Sequence, residues 1–276
     1  MGLQVVSTIA ELRAALAPKR AGGIAMVPTM GALHDGHLSL VRQAGAPTVV
    51  VSIFVNPTQF APHEDFDAYP RDLSGDIAKL ETAGSPIIFA PGAREMYPDG
   101  FATTVTVGGP SMGLETDFRP HFFAGIATVV AKLLLAALPD AAVFGEKDYQ
   151  QLLVVKRLAR DLGLPTEIIG APILREADGL AMSSRNAYLS PTERAIAGNL
   201  NKVLLFAVSR ARKGGGLRDA EAMAAAEIKA LGFDSVDYVA IRDAETLAVA
   251  ESLRRPARLL VAAKIGKTRL IDNMAV

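Results

Sequence analysis

The chain has 276 residues, of which 50% are hydrophobic and 21% are charged, so it can bury a core and extensive disorder is excluded. Twenty-nine basic residues balance twenty-nine acidic ones, and no overall charge draws the chain to nucleic acid or to an anionic membrane. The chain has no cysteine, which excludes disulfides, thiolate catalysis and cysteine-bound metal centres.

The first residues show no basic leader followed by an apolar block, and we therefore expect a cytoplasmic protein. The longest apolar stretch, residues 122–138, contains Lys132 near its middle. A stretch of this length with an internal charge is marginal for spanning a bilayer, so we interpret it as a buried helix.

Apolar runs alternate with helical stretches through the first part of the chain. The predicted strands are 23–27, 48–55, 86–90, 142–144 and 166–169, and the predicted helices between them are 38–44, 73–83, 122–138 and 149–162. This alternation is typical of βαβ units and predicts an α/β fold with a Rossmann-like, doubly wound parallel sheet. Ligands of such sheets bind beyond the carboxyl ends of the strands.

The pattern changes after about residue 173. Ser190, Pro191 and Glu193 predict a capped start for one long helix that reaches about Arg212. A second helix over 219–231, a strand over 236–241 and a hairpin of 258–263 with 268–271 complete this part. We therefore predict a larger domain, 1–173, and a smaller α+β domain, 174–276, with the glycines 214–216 in a loop of the latter.

The first cluster with chemical character is PTMGALHDGH at residues 28–37, between a predicted strand and a predicted helix. His34 and His37 lie three residues apart and would share one helix face. Helix N-termini bind phosphate through unpaired N–H groups, and Gly31 and Gly36 allow close backbone approach. The cluster predicts a phosphate site. A tight turn with exposed histidines, or a metal site lacking a matching third ligand, is the alternative.

Three further clusters are FVNPTQF at 54–60, GEKDYQQ at 145–151 and READGLAMSSRN at 175–186. Each also fits a structural role alone: a proline-containing turn, a solvated strand-to-helix turn and a polar interdomain linker. Three of the four clusters follow predicted strands, whose ends meet on one rim of a doubly wound sheet. This convergence predicts a nucleotide site.

Together these motifs resemble those of the pantoate–β-alanine ligases, also called pantothenate synthetases, and the likeness covers nearly the whole chain. VPTMGALHDGH resembles the family's form of the nucleotidylyltransferase HxGH signature. FVNPTQF, YPRD, MYPDG, FGEKDYQQ, READGLAMSSRN and RLLVAAKIGKTRLIDN follow in the family's order. HxGH alone is shared by many adenylyl-transferring enzymes, whereas GEKDYQQ and DGLAMSSRN together are much more specific.

The resemblance implies an ATP-dependent ligase of coenzyme A biosynthesis that joins (R)-pantoate to β-alanine. The products are pantothenate, AMP and diphosphate, the intermediate is a pantoyl adenylate, and Mg²⁺ assists. It also implies a homodimer whose larger domain binds nucleotide and pantoate. An acyl adenylate must be kept from water, so we expect the smaller domain to act as a lid. We expect no nucleic-acid or membrane partner.

The resemblance also implies roles for single residues. The expected ATP-binding residues are Met30, Gly31, Ala32, Leu33, His34, Asp35, Gly36, His37, Gly145, Glu146, Lys147, Asp148, Leu174, Met182, Ser183, Ser184 and Arg185. The expected catalytic residues, which stabilise charge on the phosphates, are His37, Lys147, Ser184 and Arg185. Gln59 and Gln151 are expected to hold pantoate, and Gln59 also lies near β-alanine.

The chain departs from the family pattern at two positions. Leu174 stands where the family usually has valine, a change that we expect to be harmless because the contact is through the backbone. Phe122 stands where the family has histidine, with His121 one place earlier, so His121 is left out of the expected site.

Three other functions are weighed against the ligase. A phosphopantetheine adenylyltransferase shares HxGH, but its phosphorylated substrate needs more basic residues than FVNPTQF offers. A nucleotide-sensing protein without turnover would form no product. An aminoacyl-tRNA synthetase is disfavoured, because the chain is short and neutral with no evident tRNA-binding appendage.

Overall fold

The computed structural model describes residues 3–60, 66–84 and 86–276. It divides into two compact units. The larger unit comprises Met1–Glu146 and Gln151–Pro172, and the smaller unit comprises Lys147–Gln150 and Ile173–Val276.

The larger unit is built on a six-stranded sheet in the order β1-β4-β3-β2-β5-β6, in which every pairing is parallel. Its strands are β1 Gln4–Val6, β2 Ile24–Thr29, β3 Thr48–Ile53, β4 Ile87–Phe89, β5 Ala141–Gly145 and β6 Glu167–Ala171. The chain proceeds from β2 towards one edge and from β5 towards the other. The crevice beyond the carboxyl ends of β2 and β5 is therefore the topological switch point, where ligands of such sheets bind.

Helices cross between these strands. They are α1 Ile9–Leu16, α2 Asp35–Gln43, α3 Leu73–Glu81, α4 Ala93–Met96, α5 Glu115–Phe118, α6 Phe122–Ala137 and α7 Tyr149–Asp161. The apolar stretch read as a buried helix is α6, and most of its side chains are buried. In the part of the chain that the structure describes, no helix is both long and apolar enough to cross a membrane.

The core of the larger unit lies on the central strands. Val27, Val51, Ile88 and Val143 are fully buried, one from each of β2, β3, β4 and β5. Such continuous apolar strands are expected where helices cover both faces of a parallel sheet. The rigid sheet fixes the strand ends from which the site loops leave.

The smaller unit pairs helices with an antiparallel sheet in the order β7-β8-β9. Its elements are α8 Pro191–Ala197, α9 Leu200–Arg212, α10 Leu217–Ala230, β7 Ser235–Asp243, β8 Ala257–Ile265 and β9 Thr268–Ala275. Leu200, Leu204, Ile228 and Leu259 are fully buried between the helices and the sheet. The predicted hairpin turns at Gly266, whose φ of 56° favours glycine.

The predicted strands and helices are confirmed as elements, with ends that move by a few residues. One long helix from 191 to 212 is wrong, because α8 ends at Ala197 and α9 begins at Leu200. At the two residues between them the N–H of Asn199 bonds to the carbonyl oxygen of Ile196, three residues back instead of four, so the regular α-helical bonding is interrupted there. The sequence reading also missed β1 and α1, although α1 starts with a Thr8–Glu11 capping box.

Candidate active site

The loop of residues 30–37 connects the carboxyl end of β2 to α2. Two consecutive residues in it have a left-handed backbone, Gly31 with a φ of 81° and Ala32 with a φ of 49°. A Cβ at position 31 would lie 2.9 Å from a carboxylate oxygen of Asp76, so glycine is required there for both conformation and space. At Ala32 the left-handed conformation costs about 1–2 kcal/mol, which other contacts must offset.

Those contacts come from the carboxylate of Asp76 on α3, which is 1% exposed. Its two oxygens accept the backbone N–H groups of Ala32 at 2.9 Å and Leu33 at 2.7 Å. Lys79 on the same helix donates to the carbonyl oxygen of Leu33 at 2.7 Å. Burial raises the pKa of Asp76, while the bond from Leu33, the charge of Lys79 and the bond from Ala32 lower it. The two residues of α3 therefore hold the strained loop in shape.

The two histidines of the loop are oriented by backbone groups at the start of α2. Nδ1 of His34 accepts the N–H of Gly36 at 3.1 Å, and Nδ1 of His37 accepts the N–H of His34 at 3.3 Å. A ring nitrogen that accepts a hydrogen bond carries no proton, so this bonding assigns the proton of each neutral ring to Nε2. The ring centroids lie 4.1 Å apart. His37 thus presents an oriented N–H donor beside a helix N-terminus, which suits an anion.

The motif after β3 brings Gln59 to this loop. The amide nitrogen of Gln59 donates to the sulfur of Met30 at 2.9 Å, and its oxygen accepts from Asn56 at 3.1 Å. Asn56 is 1% exposed and also accepts from the hydroxyl of Tyr97 at 2.7 Å. Burial raises the pKa of Tyr97, so its phenol stays a donor. Asn56 therefore fixes the carboxamide of Gln59.

The start of α6 supports the same turn from another side. Arg119 donates to the carbonyl oxygen of Gln59 at 3.2 Å, and its guanidinium carbon lies 3.6 Å from the centroid of the Phe122 ring. Phe122 thus stacks on an arginine that holds the Gln59 turn. A Cβ at Gly125 would overlap the carbonyl oxygen of Thr58, so glycine lets α6 approach this turn.

Sequence reasoning left Asp76, Tyr97 and Arg119 out of the expected site, and it noted Asn56 only within its motif. Tyr97 reaches Asn56 across 41 positions, Arg119 reaches Gln59 across 60, and Asp76 reaches the loop across 43 or 44. No local spacing in the sequence reveals these three contacts. One local signal was available for Asp76, which lies four positions before Leu80 and therefore on the buried face of α3.

The remaining expected residues lie in two groups. Gly145 and Glu146, at the end of β5, and Gln151 on α7 belong to the larger unit. Lys147 and Asp148 belong to the smaller unit, with Nζ of Lys147 3.9 Å from an oxygen of Asp148.

The segment after β6 folds back on itself within the smaller unit. The N–H of Met182 donates to the carbonyl oxygen of Leu174 at 3.0 Å, which brings these two expected nucleotide contacts side by side. Gly179, with a φ of 95°, closes the turn between them. The hydroxyl of Ser183 then accepts the N–H of Arg185 at 3.3 Å, and Ser184 starts a short 3-10 turn.

A parallel sheet with this loop beyond its switch point defines the class of the protein, an α/β enzyme that acts on a nucleotide. The family model for pantoate-beta-alanine ligase matches residues 4–275. The chain belongs to the pantoate–β-alanine ligase family, as its motifs predicted, and it is a carbon–nitrogen ligase.

Individual relatives agree over their whole lengths. The chain is 55% identical to the pantothenate synthetase of Paramagnetospirillum magneticum over 278 residues, covering 99% of this chain and 98% of that protein. It is 56% identical to the pantothenate synthetase of Mesorhizobium japonicum over 277 residues, with the same coverage.

Solved structures show the same similarity. Pantothenate synthetase from Thermus thermophilus superposes with a TM-score of 0.94 at 50% identity, covering 99% of both chains. Pantoate-beta-alanine ligase from Francisella tularensis, complexed with beta-gamma ATP and beta-alanine, superposes with a TM-score of 0.83 at 33% identity, covering 99% of this chain and 97% of that one. The predicted α/β fold class is thereby confirmed.

Proposed function

We propose that the chain condenses (R)-pantoate with β-alanine in two steps, using ATP to activate the pantoate carboxylate. The observation that carries this proposal is the contact between Gln59 and Met30, which joins the expected pantoate-binding side chain to the first residue of the expected nucleotide loop at 2.9 Å. The ligand set of the Francisella tularensis relative, beta-gamma ATP and beta-alanine, supports ATP and β-alanine as substrates here.

In the first step an oxygen of the pantoate carboxylate attacks the α-phosphorus of ATP. A new carboxyl O–P bond forms, the bond from the α-phosphorus to the bridging oxygen breaks, and diphosphate leaves. The chain has little covalent work to do here, because the step depends on positioning and on stabilising charge spread over the phosphate oxygens. Nε2–H of His37 is the donor that we assign to this charge, together with Lys147, Ser184 and Arg185.

In the second step the neutral amine of β-alanine attacks the acyl carbon of the pantoyl adenylate. The amide C–N bond forms, the acyl C–O bond breaks, AMP leaves and the amine gives up a proton. Gln59 and Gln151 hold the pantoyl group, and Gln59 also orients β-alanine. The fixed orientation of the Gln59 carboxamide supports this role, since Asn56 holds one end of it and Met30 the other.

The nucleotide contacts divide between the two units. In the larger unit Met30, Gly31, Ala32, Leu33, His34, Asp35, Gly36, His37, Gly145 and Glu146 serve ATP. In the smaller unit Lys147, Asp148, Leu174, Met182, Ser183, Ser184 and Arg185 do so. We propose that the smaller domain, beginning near residue 174, acts as a lid whose serines and arginine exclude water from the adenylate.

Mg²⁺ fits this site as a companion of ATP. Among the described residues no group of three or more His, Asp or Glu side chains is placed to hold a metal ion. Magnesium commonly binds through substrate phosphates with few protein ligands, so this donor set agrees with its arrival on the triphosphate. When bound, Mg²⁺ neutralises phosphate charge and makes diphosphate a better leaving group.

We further propose a cytoplasmic homodimer, because the family resemblance implies a dimer and the reaction consumes ATP. Analytical ultracentrifugation of the purified chain tests the dimer, which a sedimentation coefficient of a monomer at all concentrations would contradict.

The reaction is tested by supplying pantoate and β-alanine to the chain with ATP and Mg²⁺, singly and together. We expect pyrophosphate–ATP exchange with pantoate alone and full AMP release only with both acids. The absence of turnover with both acids would contradict the ligase reaction. Adenylyl transfer to a phosphorylated acceptor would then identify an adenylyltransferase, and ATP binding without chemistry would identify a nucleotide-sensing protein.

A further inference from the structure

Two neighbouring polar residues are buried in β9, the last strand of the smaller unit. Asp272 and Asn273 are each 2% exposed. Burying polar side chains in a small apolar unit is costly unless each group is hydrogen-bonded. The partners of these two residues therefore show what the burial achieves.

Both ends of the Asn273 side chain are engaged. Its amide nitrogen donates to the main-chain carbonyl oxygen of Lys147 at 2.8 Å, and its amide oxygen accepts from Nε of Arg258 at 2.6 Å. The guanidinium carbon of Arg258 lies 3.9 Å from the centroid of the Tyr149 ring. The Tyr149 hydroxyl donates to the carbonyl oxygen of Ala244 at 2.8 Å. The segment that carries Lys147 is thus held by β8, β9 and the residue after β7.

Asp272 secures the other nucleotide segment of the smaller unit. Its two oxygens accept both terminal nitrogens of Arg175 at 2.7 and 2.9 Å, a bidentate pair. Arg175 also donates to the carbonyl oxygens of Gly179 at 3.0 Å and Asn273 at 3.3 Å. The N–H of Asn273 donates to Asp272 at 2.7 Å, so one frame holds both segments.

We propose that Asn273 is the positioning residue for Lys147 in the adenylation step. A lysine is a point charge on a flexible stem, so its place at the phosphates is defined only if its backbone is fixed. Asn273 fixes the position of the Lys147 carbonyl group. Asp272 in turn accepts the N–H of Asn273 and binds Arg175, so it holds both segments in place. This inference rests on the proposed function, which assigns Lys147 to ATP.

The isosteric variant Asn273→Asp tests this with the least change in shape. It keeps an oxygen for Arg258 but replaces the donor to the Lys147 carbonyl with a second oxygen, which repels that carbonyl. We expect pantoate-dependent pyrophosphate–ATP exchange to fall about tenfold to a hundredfold, since small misplacements of a charge at the reacting phosphates are costly.

Asp237→Asn is the matched control. Asp237 on β7 forms an equally short pair with Arg269 in the same sheet, at 2.7 Å, and this pair does not involve the segment 147–149. We expect this control to lower the thermal unfolding midpoint without changing the exchange rate.

The two half-reactions separate positioning from general damage. With pantoyl adenylate and β-alanine supplied, Asn273→Asp should form pantothenate at the unaltered rate, because the leaving phosphates are already gone. In a Lys147→Ala background, Asn273→Asp should have no further effect on exchange. If Asn273→Asp does not fold, Arg258→Lys takes its place, because it loses the planar group that stacks on Tyr149. It should show a smaller loss of exchange with an unaltered second half-reaction.

An Asn273→Asp variant with unaltered exchange, or one in which both half-reactions fall equally, would overturn the inference while leaving the ligase intact. An additive loss in the Lys147→Ala background would overturn it too. If the unaltered chain showed no pantoate-dependent exchange, the proposed function itself would fail and the inference with it.

Discussion

The amide nitrogen of Gln59 lies 2.9 Å from the sulfur of Met30, and Asn56 holds the other end of the same amide at 3.1 Å. The turn after β3 and the loop after β2 are therefore joined by one oriented side chain. In the proposed reaction this link places the pantoate carboxylate beside the α-phosphate. Each contact that maintains it is open to a separate test.

Asn56→Asp should weaken pantoate binding. The variant keeps its shape and loses the two donors that reach Gln59 and the carbonyl oxygen of Gly125. The carboxamide of Gln59 then loses its orientation, and we expect the KM for pantoate to rise about tenfold, as for a lost buried hydrogen bond. Steady-state kinetics with varied pantoate measure this. Asn199→Asp, where the amide donates to helix carbonyls, is the control and should behave like the unaltered chain.

His37→Ala should reduce pyrophosphate–ATP exchange by about 10²–10³-fold, the usual effect of removing one oriented donor from developing charge. Its ring accepts the N–H of His34 through Nδ1, so its proton lies on Nε2, the donor that we assign to the phosphates. His121→Ala is the matched control, because His121 stands one place before the position of the family histidine. Comparable losses in both variants would contradict the assignment to His37.

Asp76→Asn should raise the KM for ATP more than it lowers kcat. An amide accepts only one of the two N–H groups, from Ala32 and Leu33, that the carboxylate now accepts. The left-handed loop then relaxes before ATP binds, and we expect a rise of about tenfold. Asp72→Asn on the same helix controls for loss of helix stability, since Asp72 caps the start of α3. Unchanged ATP kinetics in Asp76→Asn would show that the loop holds its shape unaided.

Asp76 also makes the stability of the fold depend on pH, in the opposite direction to a carboxylate whose pKa is lowered by folding. Burial raises the pKa of Asp76 above its ordinary value of 3.8, so folding takes up a proton between these two values. The stability that Asp76 contributes is therefore greatest below pH 3.8 and falls as the pH rises through the raised pKa. We expect the free energy of unfolding, measured with urea at several pH values above 3.8, to fall less steeply with pH for Asp76→Asn than for the unaltered chain.

Asp72 provides the comparison for that slope. The N–H of Gly75 lowers the pKa of Asp72, so its contribution is present above pH 3.8 and is lost as the pH falls through the lowered pKa. Asp72→Asn should change the slope above pH 3.8 much less than Asp76→Asn does, because the charge of Asp72 is the smallest of the causes that act on the pKa of Asp76. Equal slopes for Asp76→Asn and the unaltered chain would contradict the raised pKa.

Gly125→Ala should impair both folding and pantoate binding. Alanine normally stabilises a helix interior relative to glycine by about 1 kcal/mol, but here its Cβ would overlap the backbone oxygen of Thr58. We expect a lower thermal unfolding midpoint and a higher KM for pantoate. Gly92→Ala, at the start of α4, has open space around the added carbon and should leave the KM for pantoate unchanged. A stabilised Gly125→Ala variant would mean that α6 and the turn can separate without cost.

The sheet of the larger unit was predictable because its strands are continuous apolar runs, as in Thr48–Ile53. The histidine loop was equally visible, since its glycines, histidines and helix start are contiguous. The contacts of Asp76 with that loop were not predictable, because they depend on α3 meeting a loop that lies more than 40 positions earlier in the chain. Long-range packing of this kind leaves no periodic trace in one sequence.

The smaller unit shows the same division. Its hairpin around Gly266 follows from local turn chemistry, and the structure has it. The break between α8 and α9 is a two-residue turn at Gly198 and Asn199, and helix periodicity does not reveal it because apolar residues continue on both sides. Asp272 and Asn273 bind Arg175 and Lys147, which lie 97 and 126 positions earlier in the chain. The sequence of β9 alone therefore shows only two polar residues in a strand.

The central claim is that a carboxylate oxygen of pantoate attacks the α-phosphorus of ATP, and isotope transfer tests it most directly. Pantoate labelled with ¹⁸O in its carboxylate would be turned over with ATP, Mg²⁺ and β-alanine, and the products analysed by mass spectrometry. The mechanism predicts one labelled oxygen in each AMP and none in diphosphate. Label in diphosphate, or AMP that carries none, would contradict it.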